Sequence, residues 1–241
     1  MPRFFLECIE GDCLRISGQD ARHIERVLRH KKGDLLSVCD GRGWERQCLI
    51  TGFSGGEVLL SGGAPMLSNR ENPYRLALYM GLPKGDKAER VIKAAVELGV
   101  NDITFFLSAF CVARPDEKAR ANRLARYQKI ADEAAKQAGR AFLPMVKPFL
   151  PFEQAAEEAA RSAAALMFYE KGGASLPSLL SGQPADVALI TGCEGGFSRE
   201  EAAFASKSGI VLCTLGKRIL RCETAPLAAL SAVNLLLGGL E

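Results

Sequence analysis

DVALITGCEGGFSREE, residues 186–201, and IVLCTLGKRILRCETA, residues 210–225, are the two stretches that decide the fold of this 241-residue chain. Each begins with an apolar run of strand length, continues through a glycine-containing loop and leads into a helical pattern. In α/β sheets, loops at the carboxyl ends of neighbouring strands gather ligands, because helix N-termini and free backbone groups converge there. The two stretches therefore predict an α/β sheet with a ligand site in its late loops.

The rest of the chain from residue 74 onward fits the same interpretation, because apolar runs alternate with amphipathic helices as in a parallel sheet. Strands are predicted at 75–82, 103–107, 165–169, 186–191 and 210–215. Helices are predicted after the capping box Asp86-x-x-Glu89, over 116–138, from Pro151, after the capping box Ser198-x-x-Glu201, and from Thr224.

The first 68 residues have a different pattern, with short apolar runs separated by glycine-rich turns. They predict a small β-barrel or sandwich that is interrupted by one short helix with Asp20 as its N-cap. The polar segment 68–73 is the predicted linker. Two domains are therefore expected, one over 1–68 and one over 74–241.

The last helix is apolar on nearly every side over residues 227–237. Such a helix has to be covered, either by the sheet of its own chain or by a second copy of the protein. We expect a homodimer, and a wholly intramolecular core is the alternative.

Composition limits the class of protein. The chain is 48% apolar and 24% charged, and it has no apolar run of about eighteen residues, so a membrane span is not predicted and a cytoplasmic location is expected. Eight cysteines lie without a C-x-x-C pair, and the histidines, His23 and His30, lie among arginines. Neither a metal site nor a disulfide framework is predicted, and the thiols are expected to be reduced.

The net charge of +3 is small, but two stretches, 22–32 and 114–147, are locally basic. Taken singly, either stretch fits a solvated helix face as well as a nucleic-acid contact. The chain lacks a G-x-G-x-x-G after its first α/β strand, a P-loop and a G-x-S-x-G elbow, so hydride transfer, nucleotide hydrolysis and a hydrolase triad are not supported. What remains is a ligand held mostly by backbone groups at the ends of three late strands.

Five ordered motifs give the chain a resemblance to a known family, the bacterial 16S ribosomal RNA uridine N3-methyltransferases of the SPOUT superfamily. A stretch at 23–29 together with Asp40-Gly41 is similar to that family's PUA-like domain. The motifs are Pro83-Lys84-Gly85-Asp86, residues 93–100, Ala134-Ala135-Lys136-Gln137-Ala138-Gly139-Arg140, residues 192–198 and residues 215–225. The chain departs from the family pattern at Cys193 and Lys217, where proline is usual, and at Cys222, where threonine is usual.

The resemblance implies a PUA-like RNA-binding β-barrel over 1–68 and a SPOUT methyltransferase domain over 74–241. The latter would be a trefoil-knotted parallel sheet that is flanked by helices, binds S-adenosylmethionine in a bent conformation and works as a dimer. The implied reaction places a methyl group on N3 of uridine 1498 in the 16S rRNA of the small (30S) ribosomal subunit, with no metal. Alternatives are another RNA position, such as a ribose 2′-hydroxyl or another pyrimidine, a non-catalytic RNA-binding module, and a small-molecule enzyme that binds no RNA.

The same resemblance implies which residues act. Arg221 would orient the uracil and stabilise its developing charge, and Glu223, Glu194 and Glu170 are candidates for base, ribose ligand or sulfonium counter-charge, with a helix cap or a surface acid as the alternative for each carboxylate. Catalytic residues are expected to be Arg221 and Glu223. Cofactor contacts are expected from Leu166, Met167, Tyr169, Glu170, Leu189, Ile190, Thr191, Gly192, Glu194, Gly195, Gly196, Leu215, Gly216, Ile219, Leu220, Arg221, Thr224 and Ala225. RNA contacts are expected from Arg22, Arg26, Arg29, Lys31, Lys32 and Arg140.

Overall fold

A computed structural model describes residues 3–240 of the chain. The chain divides into two compact units. The first unit contains the residues up to Glu71 together with Ala135–Leu143, and the second contains Asn72–Ala134 and the residues from Pro144 onward. The segment 135–143 therefore packs with the N-terminal residues, although its first residues, up to Ala138, are the end of a helix that begins at Glu117 in the second unit.

The first unit is built on one six-stranded sheet in the order β1-β3-β4-β5-β2, with β6 paired to β4. β1 runs parallel to β3, and the other pairs are antiparallel. Alternate residues of β4 and β5, such as Cys48, Ile50, Val58 and Leu60, are buried and form the core of this unit. The strands are β1 Arg3–Phe5, β2 Cys13–Ile16, β3 Leu35–Cys39, β4 Trp44–Ser54, β5 Glu57–Gly62 and β6 Met66–Leu67.

The predicted short helix is present, but Asp20 is not its N-cap. Helix α1 spans Gly18–Arg22 after Ser17 and continues as a π-helical turn over His23–Val27. Asp20 therefore lies in the first turn, and its carboxylate accepts hydrogen bonds of 3.3 Å from Lys136 Nζ. Lys136, which is distant in sequence, therefore binds the carboxylate that the local pattern assigned to capping the helix.

The second unit contains the predicted parallel sheet, with six strands in the order β12-β10-β11-β7-β8-β9. The edge strand β9 was not predicted, because Pro148 and Pro151 break its pattern. Proline is tolerated at such an edge, where no further strand needs its missing N–H. The strands are β7 Arg75–Gly81, β8 Asp102–Leu107, β9 Met145–Pro151, β10 Ala164–Phe168, β11 Asp186–Thr191 and β12 Val211–Cys213.

Six further helices follow α1 along the chain. They are α2 Lys87–Glu97, α3 Glu117–Ala138, α4 Phe152–Ala159, α5 Leu176–Leu179, α6 Arg199–Lys207 and α7 Ala225–Leu237. On one side of the sheet the rings of Phe106, Phe152 and Phe197 pack against one another, with centroids 5.5–6.2 Å apart. This aromatic cluster ties the sheet to α4 and to the loop before α6.

The two predicted capping boxes have different outcomes. At α6, Ser198 Oγ accepts from Glu201 N at 3.1 Å and Glu201 Oε2 accepts from Ser198 N at 2.8 Å, which confirms that box. At α2, Asp86 makes no side-chain cap and its carboxylate accepts from Arg90 at 2.8 Å. Arg90, one turn along the helix, forms an ion pair with the Asp86 carboxylate that the sequence pattern assigned to the cap.

Helix α7 packs on the sheet with one of its own faces, and the opposite face of the helix is exposed. Leu230 and Val233 are buried, whereas Leu235 is 72% exposed. The buried amide of Asn234 accepts from Asn72 Nδ2 at 3.1 Å and from the hydroxyl of Tyr74, and donates to the carbonyl of Leu98 at 2.7 Å. This polar network fixes the rotation of α7 and therefore which leucines face outward.

Candidate active site

The carboxyl ends of β10, β11 and β12 lie side by side, because these strands are neighbours in the sheet. The loops that follow them enclose an open cleft of about 480 Å³. The predicted site residues that line the cleft are Glu170, Gly192, Glu194, Gly195, Gly196, Ile219, Leu220, Arg221, Glu223 and Ala225. The loops of the two stretches 186–201 and 210–225 therefore meet at one site.

A smaller pocket of about 90 Å³ shares Glu170, Ile219 and Leu220 with the cleft. It lies against the loop after β12, where Gly216 has the positive φ of 97° that favours glycine. Further predicted residues that line it are Tyr169, Leu215 and Gly216.

Other predicted cofactor residues line neither pocket. Leu166 and Met167 of β10 pair with Leu189 and Ile190 of β11, and all four side chains are buried in the sheet. Their side chains pack in the core of the sheet. Thr191 is also buried, and its hydroxyl has no hydrogen-bond partner among the described residues. Thr224 is exposed at the N-cap of α7.

The loop after β11 depends on its glycines. A Cβ on Gly195 would lie 2.6 Å from Phe110 Cβ, and one on Gly192 would lie 3.0 Å from Gly196 Cα. The turn closes with a hydrogen bond of 3.0 Å from Gly196 N to Cys193 O. Side chains would prevent this tight path, so one wall of the cleft is formed largely by exposed backbone.

Sequence reasoning missed a further glycine that this loop needs. A Cβ on Gly81, at the end of β7, would lie 2.6 Å from the backbone nitrogen of Cys193. Only glycine lets the neighbouring strand end and the loop approach so closely. A lone glycine at the end of a predicted strand gives too weak a signal to identify this role.

The buried thiol of Cys193 connects the loop after β11 to the segment after β8. It lies 3.7 Å from Ser108 Oγ and shares a hydrogen bond with Cys111, and all three side chains are buried. The bond to Cys111, followed by burial, raises the pKa of Cys193 above its ordinary value. Where the family usually has proline, this chain thus has a neutral thiol that ties the loop to the segment after β8.

Lys87 is the main charged residue of the cleft that was not predicted. Its ammonium lies 2.8 Å from Glu194 Oε1, 3.8 Å from Glu223 Oε2 and 3.9 Å from Cys222 Sγ. It is the first residue of α2, directly after the motif Pro83-Lys84-Gly85-Asp86. That motif was the signal that could have drawn attention to it.

Both carboxylates beside Lys87 are held ionised. Burial opposes the charge of Glu194, but hydrogen bonds from Lys87 and from backbone N–H groups hold its pKa below the ordinary value. Backbone hydrogen bonding, followed by the thiol of Cys222, lowers the pKa of Glu223. Burial, followed by the bond to Glu223, raises the pKa of Cys222 to about 12, so this thiol stays neutral and donates to Glu223 Oε2 at 3.2 Å.

Arg221 belongs to the loop after β12, lines the cleft and is exposed. Its backbone carbonyl accepts from Thr224 N and Ala225 N, which fixes the start of α7. Within residues 3–240, no hydrogen bond or ion pair of the structure engages its guanidinium. The cation is thus free to meet an anionic group.

Five of the six predicted RNA-contacting residues lie on the surface of the first unit. Arg22, Arg26, Arg29, Lys31 and Lys32 are all exposed. They follow one another along α1, the π-helical turn and the loop before β3. The short helix and the turn therefore bring their charges into one basic segment.

Arg140 also belongs to the first unit, but it is buried and serves the fold. Its guanidinium donates to Glu71 Oε2 at 2.7 and 3.1 Å, and the other oxygen of Glu71 accepts from the N–H groups of Ala141 and Phe142. The side chain is 5% exposed. Its charge is used to attach the segment 135–143 to the first unit.

Neither a metal centre nor a membrane span is found in the part of the chain that the structure describes. Residues 3–240 contain no cluster of three or more histidine, cysteine and acidic side chains arranged to hold a metal. None of their helices is long and apolar enough to cross a bilayer.

Two family models match the chain in the order of the two units. An RNA methyltransferase PUA domain matches residues 16–61, and an RNA methyltransferase domain matches residues 70–234. The second match spans the sheet and both loops of the cleft.

Relatives match over nearly the whole chain. Ribosomal RNA small subunit methyltransferase E of Bacillus subtilis is 32% identical over 97% of this chain and 96% of its own, and that of Synechocystis is 35% identical over 89% and 70%. A crystal structure of the methyltransferase E of Neisseria gonorrhoeae bound to S-adenosyl methionine has a TM-score of 0.87, with 29% identity and 98% of each chain covered. The predicted resemblance is confirmed: the chain belongs to the RNA methyltransferase family of ribosomal RNA small subunit methyltransferase E, with a PUA domain and an α/β domain of the SPOUT class.

Proposed function

We propose that this protein transfers the methyl group of S-adenosylmethionine to N3 of uridine 1498 in 16S ribosomal RNA. The observation that carries the proposal is the cleft at the ends of β10, β11 and β12, where backbone-rich loops meet a free arginine and an ionised glutamate. Relatives of the same length that carry the methyltransferase E name support it.

The cleft fits a nucleoside cofactor by its shape and its polar groups. Its glycine wall exposes main-chain groups that can approach an adenine and a ribose, and about 480 Å³ lies within the range of small-molecule sites. S-adenosylmethionine would supply an electrophilic methyl group on a sulfonium. The residues that would hold it are Glu170, Gly192, Gly195, Gly196, Gly216, Ile219 and Leu220.

The acceptor atom needs help from the protein, because N3 of uracil carries a proton at neutral pH. An in-line methyl transfer requires little covalent machinery, but it requires the acceptor to be oriented and its negative charge stabilised. The free guanidinium of Arg221 is suited to both tasks.

Glu223 is the better candidate for the base that takes the N3 proton. Its carboxylate is ionised, and it receives its own backbone N–H, the weak thiol donor of Cys222 and a distant Lys87. Glu194 accepts at Oε1 both from the ammonium of Lys87 and from the backbone N–H of Lys84, so its charge is more fully compensated. The proton would therefore pass from N3 to Glu223.

The basic segment Arg22, Arg26, Arg29, Lys31 and Lys32 would hold the phosphates of the rRNA. Such contacts position a substrate without reading its sequence. We also propose that the enzyme acts in the cytoplasm as a homodimer through the exposed leucines of α7, and the trefoil knot implied by the resemblance stays a prediction.

The test is methyl transfer from labelled S-adenosylmethionine to 30S subunits and to free 16S rRNA from cells that lack this modification. We expect 3-methyluridine in the nucleoside digest, mapped to position 1498. A 2′-O-methyl nucleoside or another methylated pyrimidine would keep the reaction class and change the target. No incorporation despite cofactor binding would favour a non-catalytic RNA-binding module.

A further inference from the structure

Lys87 is bound to both loops of the cleft, although it belongs to neither. Its ammonium donates to Glu194 in the loop after β11 at 2.8 Å and lies 3.8 Å from Glu223 in the loop after β12. Its side chain is 30% exposed, as is that of Glu194. One cation from a third element therefore connects the two loops that form the cleft.

The position of Lys87 is electrostatically unfavourable for the helix alone. It is the first residue of α2, where the partial positive charge of the helix N-terminus disfavours a cation. The favourable interactions of this lysine lie in the cleft, where the bond to Glu194 raises its pKa. The presence of a lysine at position 87 is therefore explained by its contacts in the cleft and not by its place in the helix.

The two carboxylates need such a cation, because both approach the same ammonium within 4 Å and both are ionised. Without Lys87 they would repel each other across the cleft. The other charged or titratable groups that line the cleft beside this cluster are Arg221, Cys222, Cys193 and Glu170. Arg221 is the proposed uracil ligand and Cys222 is a neutral thiol, so neither replaces the lysine.

We propose that Lys87 is a positioning residue that holds the loops after β11 and β12 at the spacing the cofactor needs, because its one ammonium binds Glu194 in the first loop and Glu223 in the second. The inference rests on the proposed function of this cleft. Lys87 acts through the two carboxylates and takes no part in bond making.

The experiment compares Lys87→Met, Lys87→Arg and the double variant Lys87→Met/Glu194→Gln with wild type. Lys93→Met is the matched control, because Lys93 is exposed on the same helix and lines neither pocket. Calorimetry measures S-adenosylmethionine binding, and single-turnover rates are measured from about pH 3 to about pH 8, a range that includes the titration of carboxylates.

We expect Lys87→Met to weaken cofactor binding about tenfold or more at pH 8, with Lys93→Met at the wild-type value. Lys87→Arg should restore most of the affinity. The double variant should recover part of the loss, because removing one carboxylate relieves the repulsion. In Lys87→Met the acidic limb of the rate profile should move to higher pH, because Glu223 loses the cation that favours its ionised form.

Three results would overturn the inference: wild-type affinity in Lys87→Met, no recovery in the double variant, or an unmoved acidic limb. The second would mean that the lysine contributes packing alone. A wild-type protein that binds no S-adenosylmethionine would instead count against the proposed function, so the two failures are distinguishable.

Discussion

Single residues in the cleft divide into groups that are already paired and groups that are free. Glu194 is bound by Lys87 and by backbone N–H groups, and Cys193 is anchored to Ser108 and Cys111. The guanidinium of Arg221 has no such engagement among the described residues. The paired groups shape the cleft, which leaves Arg221 as the cation available to a substrate.

Replacing Arg221 by alanine should abolish most methyl transfer and leave cofactor binding intact. Loss of one preorganised charge-stabilising donor costs about 10²–10³-fold in rate. Single-turnover transfer to 30S subunits measures the rate, and calorimetry measures binding. Arg199→Ala, which removes an exposed arginine outside the cleft, is the control, and full turnover by Arg221→Ala would remove Arg221 from the mechanism.

The lowered pKa of Glu194 predicts a pH dependence of stability. A carboxylate whose folded pKa is depressed stabilises the protein above its unfolded pKa, and this stabilisation is lost as the pH falls through the folded value. Wild type should therefore melt at a higher temperature than Glu194→Gln at pH 7, and the difference should shrink below about pH 4.5. A constant difference from pH 7 to pH 3 would argue that the charge of Glu194 contributes nothing.

At the scale of elements, local signals predicted structure well where no distant contact competed. The parallel strands and the Ser198 capping box follow from periodicity and from residues three apart. Asp20 is not a cap because the helix already begins after Ser17, and Asp86 makes no side-chain cap because Arg90 engages its carboxylate. The same holds for the candidate site. The glycine loops could be predicted from the sequence, whereas the role of Lys87 depends on contacts with two loops that are distant in sequence and could not be predicted from it.

The confirmed capping box at α6 gives a prediction for one element. Ser198→Ala should lower the free energy of unfolding by about 1 kcal/mol, because the N–H of Glu201 loses its acceptor at the start of the helix. Ser206→Ala, on the exposed part of the same helix, should change it by a few tenths at most. Urea denaturation of both variants measures the difference, and equal stabilities would show that the box contributes nothing.

At the scale of the whole molecule, segments far apart in sequence define the first unit. Glu71 binds Arg140 and the backbone of Ala141 and Phe142, so the segment 135–143 belongs with residues that precede it by more than sixty positions. The linear boundary predicted at 68–73 could not include this segment, because pairing of a buried arginine with a distant carboxylate leaves no local pattern.

The outward face of α7 predicts the oligomeric state. Leu235 and Leu236 are 72% and 39% exposed, whereas the opposite face is buried in the core. If a second copy covers these leucines, Leu235→Glu should convert a dimer to a monomer, because a buried charge without a partner is costly. Sedimentation velocity measures the change, and a monomeric wild-type protein would contradict the proposed homodimer.

The basic segment predicts how the whole protein meets RNA. Arg26→Glu/Arg29→Glu should weaken binding to 16S rRNA and flatten its dependence on salt, because each lost phosphate contact removes about 0.7–0.9 from the slope of log K against log salt. Cofactor affinity should be unchanged, since these arginines belong to the first unit and the cleft to the second. Lys93→Glu/Lys207→Glu makes the same change of charge in the second unit and should affect RNA binding much less. Equal RNA affinity of the two double variants at moderate salt would mean that overall charge, rather than this segment, holds the RNA.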